Sequence, residues 1–276
     1  MEDYYANKAL SHSKLSCLAQ SPMEFKMRHV DDPPTLPPKD TTAFAMGNAV
    51  HTLALEPEKF DERFAVAPKI DRRTTAGKAQ WGEYVEHSKD KIVLSEQDHD
   101  DAIACVQALY NHAEFATIMQ QPRRVEVPFE FDLFGHRFKA KPDCIVDSMR
   151  LIVDIKTTDD ASPHRWQWSA VDYGYHRQAW IYCNAIELDH SRKEPVKQSY
   201  RFIFAAVEKP KPSTRGIPPT VALYELDADA IQMGYFDTRN LLCEYERRLE
   251  TNNWQQPFSS GIVPLRLPKR RVYSEE

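Results

Sequence analysis

Apolar positions recur at helical spacing from Leu10 to Val30, interrupted at Ser21-Pro22. Serine there can cap a helix and proline fits its first turn, so two short helices are predicted. The stretch Asp31 to Pro38, with Pro33, Pro34 and Pro37 inside it, cannot continue a helix and reads as an extended connector. A helix is predicted from Thr42 to Leu55, stopped by Glu56-Pro57. Polar, basic Pro68 to Lys78 reads as an exposed loop, followed by helices over Ala79 to Ser88 and, behind a Ser95 cap, Gln97 to Asn111. The period then changes to two. Val125 to Phe134 and His136 to Val146 predict a hairpin turning at Phe134-Gly135, with Phe138, Ala140 and Pro142 alternating against Lys139, Lys141 and Asp143. Leu151 to Lys156 predicts a third strand. A helix over Tyr173 to Glu187, strands at Tyr200 to Val207 and Val221 to Leu226, and a long helix over Ala228 to Glu250 complete the pattern. The order is helix, three strands, helix, strand. It predicts an α+β core with a helical N-terminal elaboration, in one domain over 1–276. Residues 1–40 would hold the first helices and the proline connector, 41–226 the core, and 227–276 a helix and basic tail.

Composition narrows the class. The 276 residues are 42% hydrophobic and 28% charged, ordinary for a globular chain. No apolar run approaches the ~18 residues of a membrane span, and MEDYYANKAL lacks the basic start and apolar core of a secretory signal. Five scattered cysteines without a CxxC pair argue against a disulfide framework, a zinc ribbon and an iron–sulfur cluster, so a reduced cytoplasm is expected. The net charge of −5 carries no global mark of a nucleic-acid binder, although an acidic metal site can coexist with local basic patches. Eight glycines supply neither GxGxxG nor GxxxxGK[ST], which disfavours nucleotide-driven chemistry of those kinds.

The candidate chemistry lies in Lys141-Pro142-Asp143 and, after ten intervening residues, Asp154-Ile155-Lys156. On a strand Asp154 and Lys156 share a face, and Asp143 on the neighbouring hairpin strand can reach it. Two carboxylates beside a lysine suit a hard divalent cation such as Mg²⁺ or Mn²⁺, with the lysine orienting a water or stabilising charge on a phosphoryl oxygen. An isolated DxK triplet is more commonly a surface salt bridge. Here Asp154 follows Leu151-Ile152-Val153, where an unpaired carboxylate would be costly to bury.

Pro142-Asp143…Asp154-Ile155-Lys156 is a literal instance of the PD-(D/E)XK nuclease motif, and the αβββαβ order resembles that superfamily's core. Gly47-Asn48-Ala49-Val50-His51 resembles the GxxxH motif of the RecB-like branch, and Gln178-Ala179-Trp180-Ile181-Tyr182 its QxxxY motif. Leu10-Ser11-His12-Ser13-Lys14-Leu15 and the tract His51 to Phe60 resemble the RecE (exodeoxyribonuclease VIII) nuclease domain. The resemblance implies a metal-dependent exonuclease acting on the ends of linear double-stranded DNA, 5′ to 3′, encoded by a phage or prophage. The implied product is a 3′ single strand for a RecT-type annealing protein, and a ring-like homo-oligomer is implied as well. It implies His51, Asp143, Asp154 and the Ile155 carbonyl as metal ligands, together with an acidic residue on the first strand. Glu126 and Glu130 both qualify, and four residues apart they share a strand face, so periodicity cannot choose; the resemblance favours Glu126. Lys156, Gln178 and Tyr182 would complete the catalytic set, the last two on one helix face.

Candidate DNA-holding groups are less sharply marked. Arg137, Lys139 and Lys141 alternate on the strand leading to Asp143. Ser11, Ser13 and Lys14 offer donors for a terminal 5′-phosphate by analogy with lambda-exonuclease-like relatives, although the serines suit an N-cap better. Trp166 and Trp168 read more readily as packing than as a base platform, and Arg266 to Arg271 as a phosphate contact, a subunit contact or a solvated end. Competing expectations are a structure-specific endonuclease, a single-strand exonuclease on the same core, and a catalytically silent DNA-binding phage accessory protein.

Overall fold

A computed structural model describes residues 7–37, 44–71, 73–188, 199–214, 216–256, 258 and 262–264. Helix α1 (His12–Gln20) starts at Ser11, whose Oγ accepts from the Lys14 N–H at 3.3 Å. Ser21 ends it and caps α2 (Pro22–Phe25) by accepting from the Glu24 N–H at 3.3 Å; Pro22 sits in the first turn, where no N–H is needed. A π-helical turn, Lys26–Val30, continues α2. Helix α3 (Ala45–Leu55) matches the expected element, whose first residues, 42 and 43, lie outside the described residues. A short α4 (Phe60–Arg63) leads into β1 (Phe64–Ala67). Helix α5 (Thr75–His87) begins earlier than predicted because Thr74 caps it, its Oγ1 accepting from the Gly77 N–H at 2.9 Å. Strand β2 (Ile92–Ser95) pairs in parallel with β1; these four-residue strands are too short to announce themselves by alternation. Ser95 caps α6 (Glu96–Asn111), as expected, and α7 (Ala113–Met119) follows it.

The expected hairpin is corrected in its middle. Each long strand is cut in two, giving β3 (Arg124–Val125) and β4 (Phe129–Leu133), then β5 (His136–Ala140) and β6 (Cys144–Val146). The first cut falls at Glu126, which has φ 53°, followed by Pro128; the second falls at Lys141-Pro142-Asp143, where proline has no ladder donor. Strands β4 and β5 form a separate ribbon, while β3 and β6 enter the main sheet with β7 (Leu151–Thr158). Leu10 extends the ribbon, its N–H donating to the Arg137 carbonyl at 2.9 Å and its carbonyl accepting from the Lys139 N–H at 2.8 Å.

A crossover carrying α8 (Pro163–Asp172) and α9 (Tyr175–Glu187) leads to β8 (Arg201–Glu208), which lies parallel to β7. Strand β9 (Val221–Glu225) closes the sheet on that side, in the order β3-β6-β7-β8-β9. Helix α10 (Ala228–Thr251) then packs along α9. At Gly234 a Cβ would overlap the His176 carbonyl, so these two helices meet backbone to backbone. One core cluster includes Ile152, Phe202 and Phe204 with residues of α1 and α9. The other includes Val153, Ile155 and Ile203 with residues of α3, α6 and α7. The alternation of β7 therefore sends Asp154 and Lys156 out with Ile152, toward the first cluster. Mixed α and β elements with helices on both sides of this sheet give the expected α+β class. Among the described residues no helix is long and apolar enough to cross a membrane.

Candidate metal centre and active site

The break between β5 and β6 puts Asp143 beside the second half of β7. Its Oδ2 accepts from the Ile155 N–H at 3.0 Å, so the carboxylate leans on the strand that carries Asp154 and Lys156. Helix α3 brings His51 to the same place, with Nδ1 3.1 Å from Asp143 Oδ2 and Nε2 2.5 Å from the Ile155 carbonyl oxygen. Gly47, one turn earlier, is where that helix passes β7, and an added Cβ would already touch Thr157 Oγ1 at 3.4 Å.

Glu126 reaches the cluster by leaving the strand. Its left-handed φ of 53° is uncommon for a residue with a Cβ, and it is held by its N–H donating to the Asp143 carbonyl at 3.1 Å. Donor atoms of His51, Glu126 and Asp143 all lie within 4.8 Å of one another. Glu126 also pairs with Lys141. Glu130, indistinguishable from Glu126 by periodicity, stays exposed on β4 and accepts from Asn7 Nδ2 at 2.7 Å and Arg137 Nη2 at 3.0 Å.

Asp154 is 1% exposed. Gln178, from α9, donates its Nε2 to Asp154 Oδ1 at 2.6 Å. The Lys156 ammonium stands 2.6 Å from Oδ2 as an ion-pair partner, yet that buried oxygen has no aligned hydrogen bond. Burial, then the Asp154 charge, pushes the Asp143 carboxyl up to about 7 against the pull of His51 and Lys156. Burial opposes the charge on Lys156, but Asp154 and Asp143 outweigh it and hold the ammonium up at about 12. The donor set fits a hard divalent cation: carboxylates crowded together, one Asp154 oxygen without a hydrogen bond, and an imidazole and a carbonyl alongside.

The other candidates divide. Tyr182 packs its ring against Phe202 at 6.2 Å in the core beneath α9. Lys139 is corrected from a DNA contact to an internal strut: it is 4% exposed and donates its Nζ to the Asn7 carbonyl at 2.9 Å. Lys14 likewise donates to the carbonyls of Lys8 at 2.9 Å and Ala9 at 2.8 Å. Arg137 pairs at the surface with Glu130 and Asp132, and Lys141 pairs with Glu126. Ser11 and Ser13 face each other at 3.0 Å, Ser11 as the cap of α1. Trp166 is buried and stacks on Tyr224, whereas Trp168 is exposed. Residues 266–271 lie outside the described residues.

Residues 11–262 match the model of a family described as a PDDEXK-like domain of unknown function (DUF3799). The chain belongs to this family. The PD-(D/E)XK motif read at Asp143, Asp154 and Lys156 thus sits in a domain of the matching fold. A solved structure from Eubacterium rectale, whose description as an exonuclease is itself provisional, shares that fold at 15% identity. The match covers 98% of this chain and 95% of that one, with a TM-score of 0.59. A phage-related exonuclease from Haemophilus somnus 129PT aligns at 14% identity over 74% of this chain and 95% of its own, with a TM-score of 0.34. An alkaline exonuclease from Laribacter hongkongensis aligns at 16% identity over 74% and 89%, with a TM-score of 0.27. No curated protein matches the chain.

Sequence reasoning missed the clamp that holds α9 in place. Arg177 and His176 both meet Asp237 of α10, His176 with Nε2 at 3.3 Å, and Arg177 also donates to Ser16 Oγ at 2.9 Å. Sixty residues separate Arg177 from Asp237, and no local pattern links them.

Proposed function

We propose that this protein is a metal-dependent deoxyribonuclease that hydrolyses phosphodiester bonds from the ends of linear double-stranded DNA. The observation that carries this reading is the convergence of Asp143, Asp154 and Lys156, with donor atoms of His51 and Glu126 within 4.8 Å of Asp143 and Gln178 bracing Asp154. His51, Glu126, Asp143, Asp154 and the Ile155 carbonyl would hold Mg²⁺ or Mn²⁺. A bound divalent ion supplies Lewis acidity toward a phosphoryl oxygen and acidifies an attacking water. Lys156, kept charged by the two aspartates, places a cation where negative charge grows on the phosphorane oxygens. Gln178 fixes one Asp154 oxygen, so the other keeps a constant direction toward Lys156.

Action at ends, 5′ to 3′ polarity, a RecE-like role in recombination beside a RecT-type annealing partner, and a ring-like oligomer in a bacterial cytoplasm belong to this proposal. The motifs from Leu10 to Tyr182 support it. The test uses linear duplex labelled at the 5′ or the 3′ end and a covalently closed circle, each with Mg²⁺ or with chelator. Mg²⁺-dependent release of 5′-labelled nucleotides from the linear duplex, with the circle intact, is the expected result. Nicking of the circle would replace the end-dependent reading by an endonuclease, and inertness on every substrate would favour a silent DNA-binding protein.

A further inference from the structure

A row of aromatic rings runs from the core to the surface beside Lys156. Trp166 stacks on Tyr224 at 5.3 Å between ring centres and meets Tyr175 at 5.4 Å. Tyr175 also stacks on Phe204 at 4.9 Å, so its ring is fixed from two sides, and the Lys156 ammonium lies 5.4 Å from its centre. The row ends at Tyr173, 5.7 Å from Tyr175 and 58% exposed.

Its placement is built into the α8–α9 junction. Tyr173 closes α8, and Gly174, with φ 66°, turns the chain into α9. A Cβ on Gly174 would overlap the guanidinium of Arg177, which is itself held by Asp237 and Ser16. The turn thus keeps the two tyrosines side by side. Tyr175 is half-buried and structurally committed, while Tyr173 contributes little to the core. An aromatic face left in water, with only the Tyr175 ring between it and Lys156, matches the sequence-tolerant way proteins hold nucleobases, by stacking.

We propose that Tyr173 is a positioning residue whose ring stacks on the nucleobase adjoining the phosphodiester cut at the Asp143–Asp154–Lys156 site. This rests on the nuclease reading above. A nucleobase is favoured over an apolar protein partner because the ring is continuous with Tyr175 and, through it, with Lys156.

The test couples Tyr173 to the base it would touch. Single-turnover nucleotide release in Mg²⁺ is measured on linear duplex, intact or carrying one abasic residue at each of the first few positions of the cleaved strand. Wild type, Tyr173→Ala and Tyr173→Phe are compared, with melting curves to establish that the variants fold. Tyr173→Ala should slow release from intact duplex about tenfold, Tyr173→Phe should retain the rate, and one abasic position should slow wild type about as much. At that position Tyr173→Ala should cause no further loss. An unchanged rate in Tyr173→Ala, or a loss that persists in full on every abasic duplex, would overturn the stacking role. Failure of wild type to release nucleotides from the intact duplex would instead overturn the nuclease reading.

Discussion

Asp154 has almost no surface, and its two oxygens are engaged by Gln178 and Lys156. Replacing it with asparagine keeps the shape and removes the charge. Asp154→Asn should lower DNA cleavage by about a hundredfold to a thousandfold, as removal of a group central to charge stabilisation does. Its melting temperature should stay near that of wild type. Cleavage at a wild-type rate in saturating Mg²⁺ would show that the carboxylate has another purpose. Glu126 and Glu130 give a sharper comparison, since one lies within 4.8 Å of the His51 and Asp143 donors and the other is paired at the surface with Asn7 and Arg137. Glu126→Gln should reduce activity at least about tenfold more than Glu130→Gln in matched assays. The reverse order would place the ligand on β4. The sequence marked Asp143, Asp154, Lys156, His51 and Gln178 through the resemblance of their motifs to a nuclease family, while strand period by itself paired only Asp154 with Lys156. It could not separate the two glutamates, because the left-handed turn at Glu126 replaces the alternation that would make them equivalent. Lys139 misled for a related reason. Alternation put it on the solvent face, whereas Leu10 adds a bridge to the ribbon and the backbone of Asn7 covers the ammonium.

At the scale of elements, long helices and the β7 strand were readable, and the sheet's connectivity was not. A proline at 142 was visible in the sequence, but its consequence was not. It detaches β6 from the ribbon and lets the β3–β6 pair join β7, which brings Asp143 against Ile155. The pairing of α9 with α10 was equally hidden, since it depends on Gly234 meeting the His176 carbonyl and on the distant Asp237. That contact allows a prediction. In Gly234→Ala the new methyl must push two packed helices apart, because its neighbour is backbone and not the flexible end of a side chain. Destabilisation of about 2 kcal/mol is expected for such overpacking. For a chain of this size that is a fall in melting temperature of roughly 4–8 °C. A serine at 234 should behave no better, and a variant as stable as wild type would mean that α10 can slide along α9 without loss.

For the whole molecule, the buried carboxylates tie folding to pH and to metal. Asp143 has its pKa raised to about 7 by burial and by Asp154, against 3.8 for an ordinary aspartate. Between those values the folded chain holds a proton that the unfolded chain has released. The stability this proton contributes is complete below about pH 4 and is lost as pH climbs through about 7. Burial first, then Lys14 and Arg28, drive the His29 pKa down to about 4, which gives the opposite slope; its contribution is lost as pH falls through the acid range. The buried ring of His12, driven down by burial and by the Arg177 and Lys156 charges, adds to that opposite slope. The raw stability profile of wild type therefore mixes two signs, and the difference between wild type and Asp143→Asn isolates the carboxylate. In chelator, Asp143→Asn should gain in melting temperature over wild type as pH rises from 5 to 8. A divalent cation at the same carboxylate must displace that proton, so stabilisation of wild type by Mg²⁺ should be larger at pH 8 than at pH 6. Asp143→Asn should lose most of it at both. Thermal melts of the two proteins across this range, with chelator or with Mg²⁺, read both effects together. A Mg²⁺ shift independent of pH, or one that survives intact in Asp143→Asn, would place the ion away from Asp143 and detach the electrostatics of the buried pair from metal binding.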